Sequence, residues 1–208
     1  MKPIHISIFD LDKTVIDSDH RTPYKENGDL CLSSYRAKQT HENIMQDQLL
    51  PLASVMQTLI KSGAPVVIVT ARRMTKSDYI YLRQNGLKAA LICSRDQLFK
   101  RFHADEARRI YSLGDAEYKR HWFEWLQARF GVMAQFSVYD DHGGVLAVAR
   151  EMGFICHDAI QTNELLRVVY DMGYNEGIED ALDYRDVFKA MGLLNQIEAF
   201  ESDREVAA

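Results

Sequence analysis

Two carboxylates, Asp10 and Asp12, stand one residue apart directly after the apolar run Ile4 to Phe9. Side chains of a strand alternate between its faces, so the two carboxylates point the same way. At the carboxyl end of a parallel strand they reach the crevice where open α/β sheets bind ligands. Two like charges this close repel unless something positive sits between them. A hard cation such as Mg²⁺, which takes oxygen ligands and usually one or two carboxylates, meets that need. The plainer alternative is a turn closing the strand, since Asp is frequent in turns.

Three further groups have the same character. Pro65 to Thr70 is continuously apolar up to a hydroxyl and is followed by two cations, Arg72 and Arg73. Residues 134–139 read as another strand, ending in the pair Asp140 and Asp141. Lys119 opens an amphipathic stretch that carries Trp122, Phe123, Leu126 and Phe130 on one face. In a parallel sheet all carboxyl ends lie on one edge, so these groups can converge although they are far apart in sequence.

The elements that must position them read as an alternation of strand and helix, which indicates an α/β fold with a mainly parallel sheet. Strands are expected over 4–9, 65–70, 87–93, 134–139 and 153–156. A helix runs from Leu52, with Pro51 in its first turn and Gly63 at its end. Others are expected over 75–85, 119–130 and 145–152, with mixed helix and loop over 94–118. Residues 17–41 are polar and rich in turn formers, a flap or small cap insertion over the Asp pair. Its cations Arg21, Lys25, Arg36 and Lys38 are each taken first as solvated surface. Residues 1–160 form the core, and 161–208 a helical extension of the same domain, with helices over 161–172 and 178–200 that pad the sheet or mediate self-association.

The 208 residues suffice for one domain with a sizeable core. A net charge of −5 argues against broad electrostatic coating of nucleic acid, though not against gripping one nucleotide or strand end. The 3 cysteines show no CxxC spacing, so neither a zinc site nor a disulfide framework is indicated, and reduced thiols in the cytoplasm are expected. No leader and no membrane-length apolar run is apparent.

Taken together, FDLDKT at 9–14, VVIVT at 66–70, Lys119 and VYDD at 138–141 resemble, in order, the four motifs of the haloacid dehalogenase superfamily of phosphotransferases. Lys13 departs from the Gly that many members carry there. A narrower likeness over 4–158 is to the phosphatase domain of bacteriophage polynucleotide kinase/phosphatases; no GxxxxGK[ST] occurs, so the kinase half is absent.

The resemblance implies a Rossmann-like core and a Mg²⁺-dependent phosphomonoesterase working through an aspartyl-phosphate. It implies Asp10 as nucleophile and metal ligand, and Asp12 as general acid/base that gives its backbone carbonyl to the metal. Asp140 and Asp141 complete the metal set, and Lys119 and Thr70 hold phosphate oxygens. Arg72 and Thr14 fall on the substrate side, Thr14 also as a support for Asp12. Acid catalysis by Asp12 needs a raised pKa. The substrate implied is a nucleotide or a polynucleotide 3′-phosphate end. Another phosphorylated metabolite, or a catalytically idle binding protein on the same fold, are the competing readings.

Overall fold

His5–Phe9 forms β1, and its register places it between the two strands that matter most for chemistry. The computed structural model describes residues 4–23, 26, 31–131 and 133–175. In chain order after β1 come β2 (Ile16–Asp17), α1 (Leu32–Ala37), α2 (His41–Met45), β3 (Gln48–Leu49), α3 (Leu52–Ser62), β4 (Val66–Val69) and α4 (Lys76–Gln84). There follow β5 (Leu91–Cys93), α5 (Leu98–Arg101), α6 (Ala104–Tyr111), α7 (Asp115–Phe130), β6 (Gln135–Asp140), α8 (Gly143–Glu151), β7 (Ile155–Asp158) and α9 (Ala159–Asn175). The main sheet is parallel throughout, in the order β5-β4-β1-β6-β7. The expected α/β fold is borne out.

Alternation along β1 explains the layers. Ile6 and Ile8 join Val67, Val69 and Val138 against α6, α7 and α8, while Phe9 joins Ile68 and Tyr139 against α3, α4 and α9. Both faces are covered, which is why these strands read as continuous apolar runs. The rings of Phe9, Tyr139 and His157 stack at 4.5 and 4.4 Å across β1, β6 and β7, tying together the ends of three strands. The chain leaves β1 towards β4 on one side and leaves β6 towards β7 on the other. The crevice between β1 and β6 is therefore the topological switch point where such sheets bind ligands.

Several boundaries move. The excursion after β1 is bracketed by the antiparallel pair β2–β3, with Ile16 opposite Leu49 and Asp17 opposite Gln48, so it extends beyond the expected 17–41. The long helix does begin at Leu52, with Pro51 already in helical geometry and Gly63 capping it at φ 85°. Helix α7 starts at Asp115 rather than Lys119, because acidic residues suit the positive end of a helix, so Lys119 lies in its second turn. Helix α9 is longer than 161–172 and is anchored by Asn163, whose Oδ1 accepts from Leu52 N (2.8 Å) and whose Nδ2 donates to the Thr14 carbonyl (2.9 Å). The helix expected over 178–200, and most of the surface expected to mediate self-association, lie outside the described residues. Among the described residues no helix is long and apolar enough to cross a membrane.

Candidate active site

Asp10 follows β1 and its N–H still bonds the Tyr139 carbonyl of β6 (3.0 Å). Asp140 ends β6, with Asp141 next. Each of Asp10, Asp140 and Asp141 offers a ligand atom within 4.8 Å of the others, so the three could together hold a metal ion. Lys119 reaches in from α7, its Nζ 2.8 Å from Asp10 Oδ1 and 2.7 Å from Asp140 Oδ2. Asp140 Oδ1 accepts from the His142 N–H (3.0 Å), and the His142 ring accepts from Val145 N as the cap of α8. Thr70, at the end of β4, is held by its own carbonyl, which accepts from the Tyr118 hydroxyl (3.0 Å), itself bonded by Trp122 Nε1 (2.9 Å). Asp10, Thr70, Lys119 and Asp141 line one cavity of about 1170 Å³.

The electrostatics of this group are unbalanced. Burial pushes the Asp10 carboxyl up; Lys119 opposes, and Asp140, Asp12 and Asp141 add to the rise. Asp141 is raised by burial and by Asp140. Burial would lower Lys119, but Asp10 and Asp140 outweigh it and keep the ammonium charged. Although Lys119 is at ion-pair distance, Asp10 Oδ1 is buried and accepts no well-aligned hydrogen bond. Buried carboxylates crowded round an oxygen without a donor are what a hard divalent cation would satisfy. The donor set therefore fits a metal.

Asp12 belongs to a different group. Its Oδ1 accepts from Ser18 Oγ (2.5 Å) and from Arg72 Nη2, and its Oδ2 from Arg72 Nε (3.0 Å). Arg72 Nη1 continues to Asp78 Oδ1 (2.8 Å), whose other oxygen accepts from Thr75 N and Oγ1 (both 2.7 Å). Nearby, Arg21 Nε and Nη2 donate to the two oxygens of Asp47 at 2.6 Å. Burial pushes the Asp12 carboxyl up, but the Arg72 guanidinium beside it and the bonds from Arg72 and Ser18 win and hold it at about 2. This corrects the raised pKa expected of Asp12, and its side chain is not one of the three carboxylates that could share a metal ion.

Two more expectations change. Arg72 lines the cavity but its guanidinium is engaged by Asp12 and Asp78 rather than left open for substrate. Thr14, expected on the substrate side, is fully buried in the turn that folds back on the Leu11 carbonyl and is not among the residues lining the cavity. Trp122, Phe123 and Leu126 are core, as their helical spacing suggests. Arg21, taken first as surface, is wholly buried. Arg36 and Arg73 are exposed at the cavity, whereas Lys25 lies outside the described residues. Sequence reasoning missed Ser18, Asp47 and Asp78. Only Asp78 had a signal, the Thr75-x-x-Asp78 spacing of a helix cap, which is realised in α4.

Residues 1–203 match the family model described as bacteriophage T5 5′-deoxynucleotidase. The 5′-deoxynucleotidase of Escherichia phage T5 is 38% identical over 197 residues, covering 87% of this chain and 80% of that protein. The chain belongs to the bacteriophage T5 5′-deoxynucleotidase family. Among solved structures, a haloacid dehalogenase-like hydrolase from Streptococcus pneumoniae superposes with a TM-score of 0.51 at 16% identity, covering 77% of this chain and 90% of that one. That likeness speaks for the fold alone. With its family established, this 5′-deoxynucleotidase relative is a phosphatase-type hydrolase.

Proposed function

We propose that the chain is a Mg²⁺-dependent phosphomonoesterase that removes the 5′-phosphate of deoxynucleoside monophosphates through an aspartyl-phosphate. The observation that carries this is the Asp10–Asp140–Asp141 cluster with Lys119 between two of its members, at the switch point of the sheet. Relationship to a 5′-deoxynucleotidase supports the substrate class.

Phosphate-monoester hydrolysis without a catalyst is among the slowest biological reactions, and splitting it into two displacements lowers the barrier. In the first, an Asp10 oxygen attacks phosphorus and the bond from phosphorus to the ester oxygen breaks. In the second, water attacks phosphorus, the acyl-phosphate bond breaks, and inorganic phosphate leaves. Asp10, Asp140 and Asp141, with the main-chain carbonyl of Asp12, would hold Mg²⁺, which supplies charge neutralisation on the phosphate. Lys119 and the Thr70 hydroxyl hold the remaining phosphate oxygens as charge builds in the transition state.

Asp12 suits the second step as it stands: ionised, it takes the proton of the attacking water. In the first step the leaving oxygen takes up a proton, which we assign to the same carboxyl. That requires substrate binding to loosen the hold of Arg72, which otherwise acts to orient Asp12.

The test is a phosphate-release panel of deoxynucleoside 5′-monophosphates, ribonucleotides, 3′-phosphorylated oligonucleotides and sugar phosphates, with Mg²⁺ and with chelator. Turnover of the deoxynucleotides that chelator abolishes is expected. Preferred release from oligonucleotide 3′ ends or from sugar phosphates would replace the substrate assignment. An inert, folded, Mg²⁺-supplied protein across the whole panel would sink the reading.

A further inference from the structure

The backbone after β4 is irregular, and three successive carbonyls there are held from outside the segment. The Thr70 carbonyl accepts from the Tyr118 hydroxyl (3.0 Å), the Ala71 carbonyl from Arg95 Nε (2.8 Å) and the Arg72 carbonyl from Arg95 N (3.3 Å). The middle one bears on the chemistry. Peptide bonds among the described residues are trans, so the carbonyl and the N–H of the peptide joining Ala71 to Arg72 point opposite ways. Arg95 holds its carbonyl end, and its N–H end donates to Thr70 Oγ1 (3.2 Å). We propose that Arg95 is a positioning residue for the reaction: by fixing this peptide it sets the Thr70 hydroxyl for the substrate phosphate. This rests on the nucleotidase reading above, which gives Thr70 a phosphate oxygen to hold.

The direction of that peptide decides where the hydroxyl proton goes. A hydroxyl that accepts from an N–H keeps its own proton for another acceptor, here a phosphate oxygen. Turned over, the same peptide would present the Ala71 carbonyl to Thr70, and the proton would be spent on it. Arg95 is itself held firmly enough to prevent this. Its Nη1 donates to the Tyr111 carbonyl (2.5 Å), and its Nη2 to the Leu113 carbonyl (3.3 Å) and to Asp115 Oδ1 (3.1 Å). The guanidinium lies 4.4 Å from the centre of the Tyr118 ring, the same tyrosine whose hydroxyl holds the Thr70 carbonyl. Fastening α6 to α7 would need only the Nη bonds. The Nε bond to Ala71 is the one that reaches the phosphate side. A planar fork makes all these contacts at once, and an ammonium cannot.

The test measures kcat and KM on deoxynucleoside 5′-monophosphates with Mg²⁺ for the wild-type chain, Arg95→Lys, Thr70→Val and the double variant. In Arg95→Lys, kcat is expected to fall about 100-fold, as a misplaced catalytic group causes, with KM within about threefold. In the Thr70→Val background there is no hydroxyl to place, and the same substitution is expected to change kcat by no more than about twofold. A lower melting temperature with unchanged kcat in Arg95→Lys makes the arginine purely structural and overturns the proposal. An equal fall in both backgrounds also overturns it, as does loss of the Mg²⁺-dependent rise in melting temperature, which would put the effect on the metal cluster. Should Arg95→Lys not fold, Asp115→Ala decides, since the Asp115 side chain is half-exposed and holds Nη2. Its kcat should fall about threefold, in keeping with a part-exposed ion pair, and only where Thr70 is present. An unchanged kcat there overturns the proposal. A wild-type chain that hydrolyses none of the deoxynucleotides overturns the nucleotidase reading and this inference with it.

Discussion

Two groups of buried charge lie on either side of the step from Asp10 to Asp12, and the fold treats them differently. Around Asp12, both oxygens of Asp12, Asp47 and Asp78 have donors from Arg72, Arg21, Ser18 or Thr75. Around Asp10, one Lys119 serves two carboxylates, and Asp10 Oδ1 has no aligned donor. In the first group the protein itself meets every carboxylate oxygen, leaving only Arg21 Nη1 without a partner among the described residues, and the group fastens the insertion to α4. The second is left incomplete by the protein, an arrangement that a metal ion could complete. Two residues of chain separate a scaffold from a reaction centre because strand geometry ends at Phe9, and the turn that follows carries Asp12 towards Arg72.

The sharpest way to break this comparison is Asp10→Asn. Steady-state phosphate release should fall by roughly 10⁴ or more, as removal of a nucleophile does. Thermal melting in chelator should rise at neutral pH, because a carboxylate short of partners has gone. A variant that kept its activity would remove the reaction centre from Asp10.

Arg72→Met tests the other group. Taking one partner out of a buried ion pair costs about 3–5 kcal/mol, and denaturant unfolding should report a loss of that order. Arg72→Lys should recover only part of it, since an ammonium cannot reproduce the forked contact with Asp12. An unaltered midpoint would mean that the insertion is fastened by other contacts.

Divalent ions should distinguish the two groups directly. At about 100 times its dissociation constant, Mg²⁺ should stabilise the folded chain by about 2.7 kcal/mol, seen as a rise in melting temperature. Asp140→Asn together with Asp141→Asn should remove that rise, and Asp78→Asn should not.

The groups also predict opposite pH dependences in chelator. Asp10 is raised in the fold, so the folded state binds more protons, and the stability it contributes is greatest below about 3.8 and lost as pH rises. Asp12 is lowered, so its contribution is present above about 3.8 and lost as pH falls towards 2. With 35% of the Asp12 side chain exposed, solvent screens the second effect, which is therefore the smaller. Melting curves across pH should flatten at the upper end in Asp10→Asn and at the lower end in Arg72→Gln.

The smallest effect lies on the turn between the groups. Lys13 has φ 58°, in the left-handed region that favours Gly. Lys13→Gly should be more stable than Lys13→Ala by about 1 kcal/mol in denaturant midpoint, since both drop the side chain's contacts and only Gly relieves the backbone.

Much of the site was legible because a parallel sheet brings its strand ends to one edge. Asp10, Thr70 and the Asp140–Asp141 pair each stand at the end of an expected strand, so their convergence follows from periodicity and topology. Lys119 was legible as a motif but not as a position, since the start of α7 is set by Asp115 and Glu117 one turn earlier. The insertion was visible only as a polar stretch. Nothing local marks Asp47 as the partner of Arg21, because that contact joins residues 26 apart across a fold-back closed by β2 and β3.

The sequence by itself determined the alternation of the main-sheet strands with helices and the acidic strand ends, because side-chain periodicity and strand-end placement are local properties; the class of chemistry followed from the resemblance its four motifs carry. Only the tertiary structure decided which carboxylates are shared with Lys119 and which with Arg72, and that Thr14 is buried outside the lining of the cavity. Those depend on contacts between distant segments, whose distances and burial no pattern of neighbouring residues encodes.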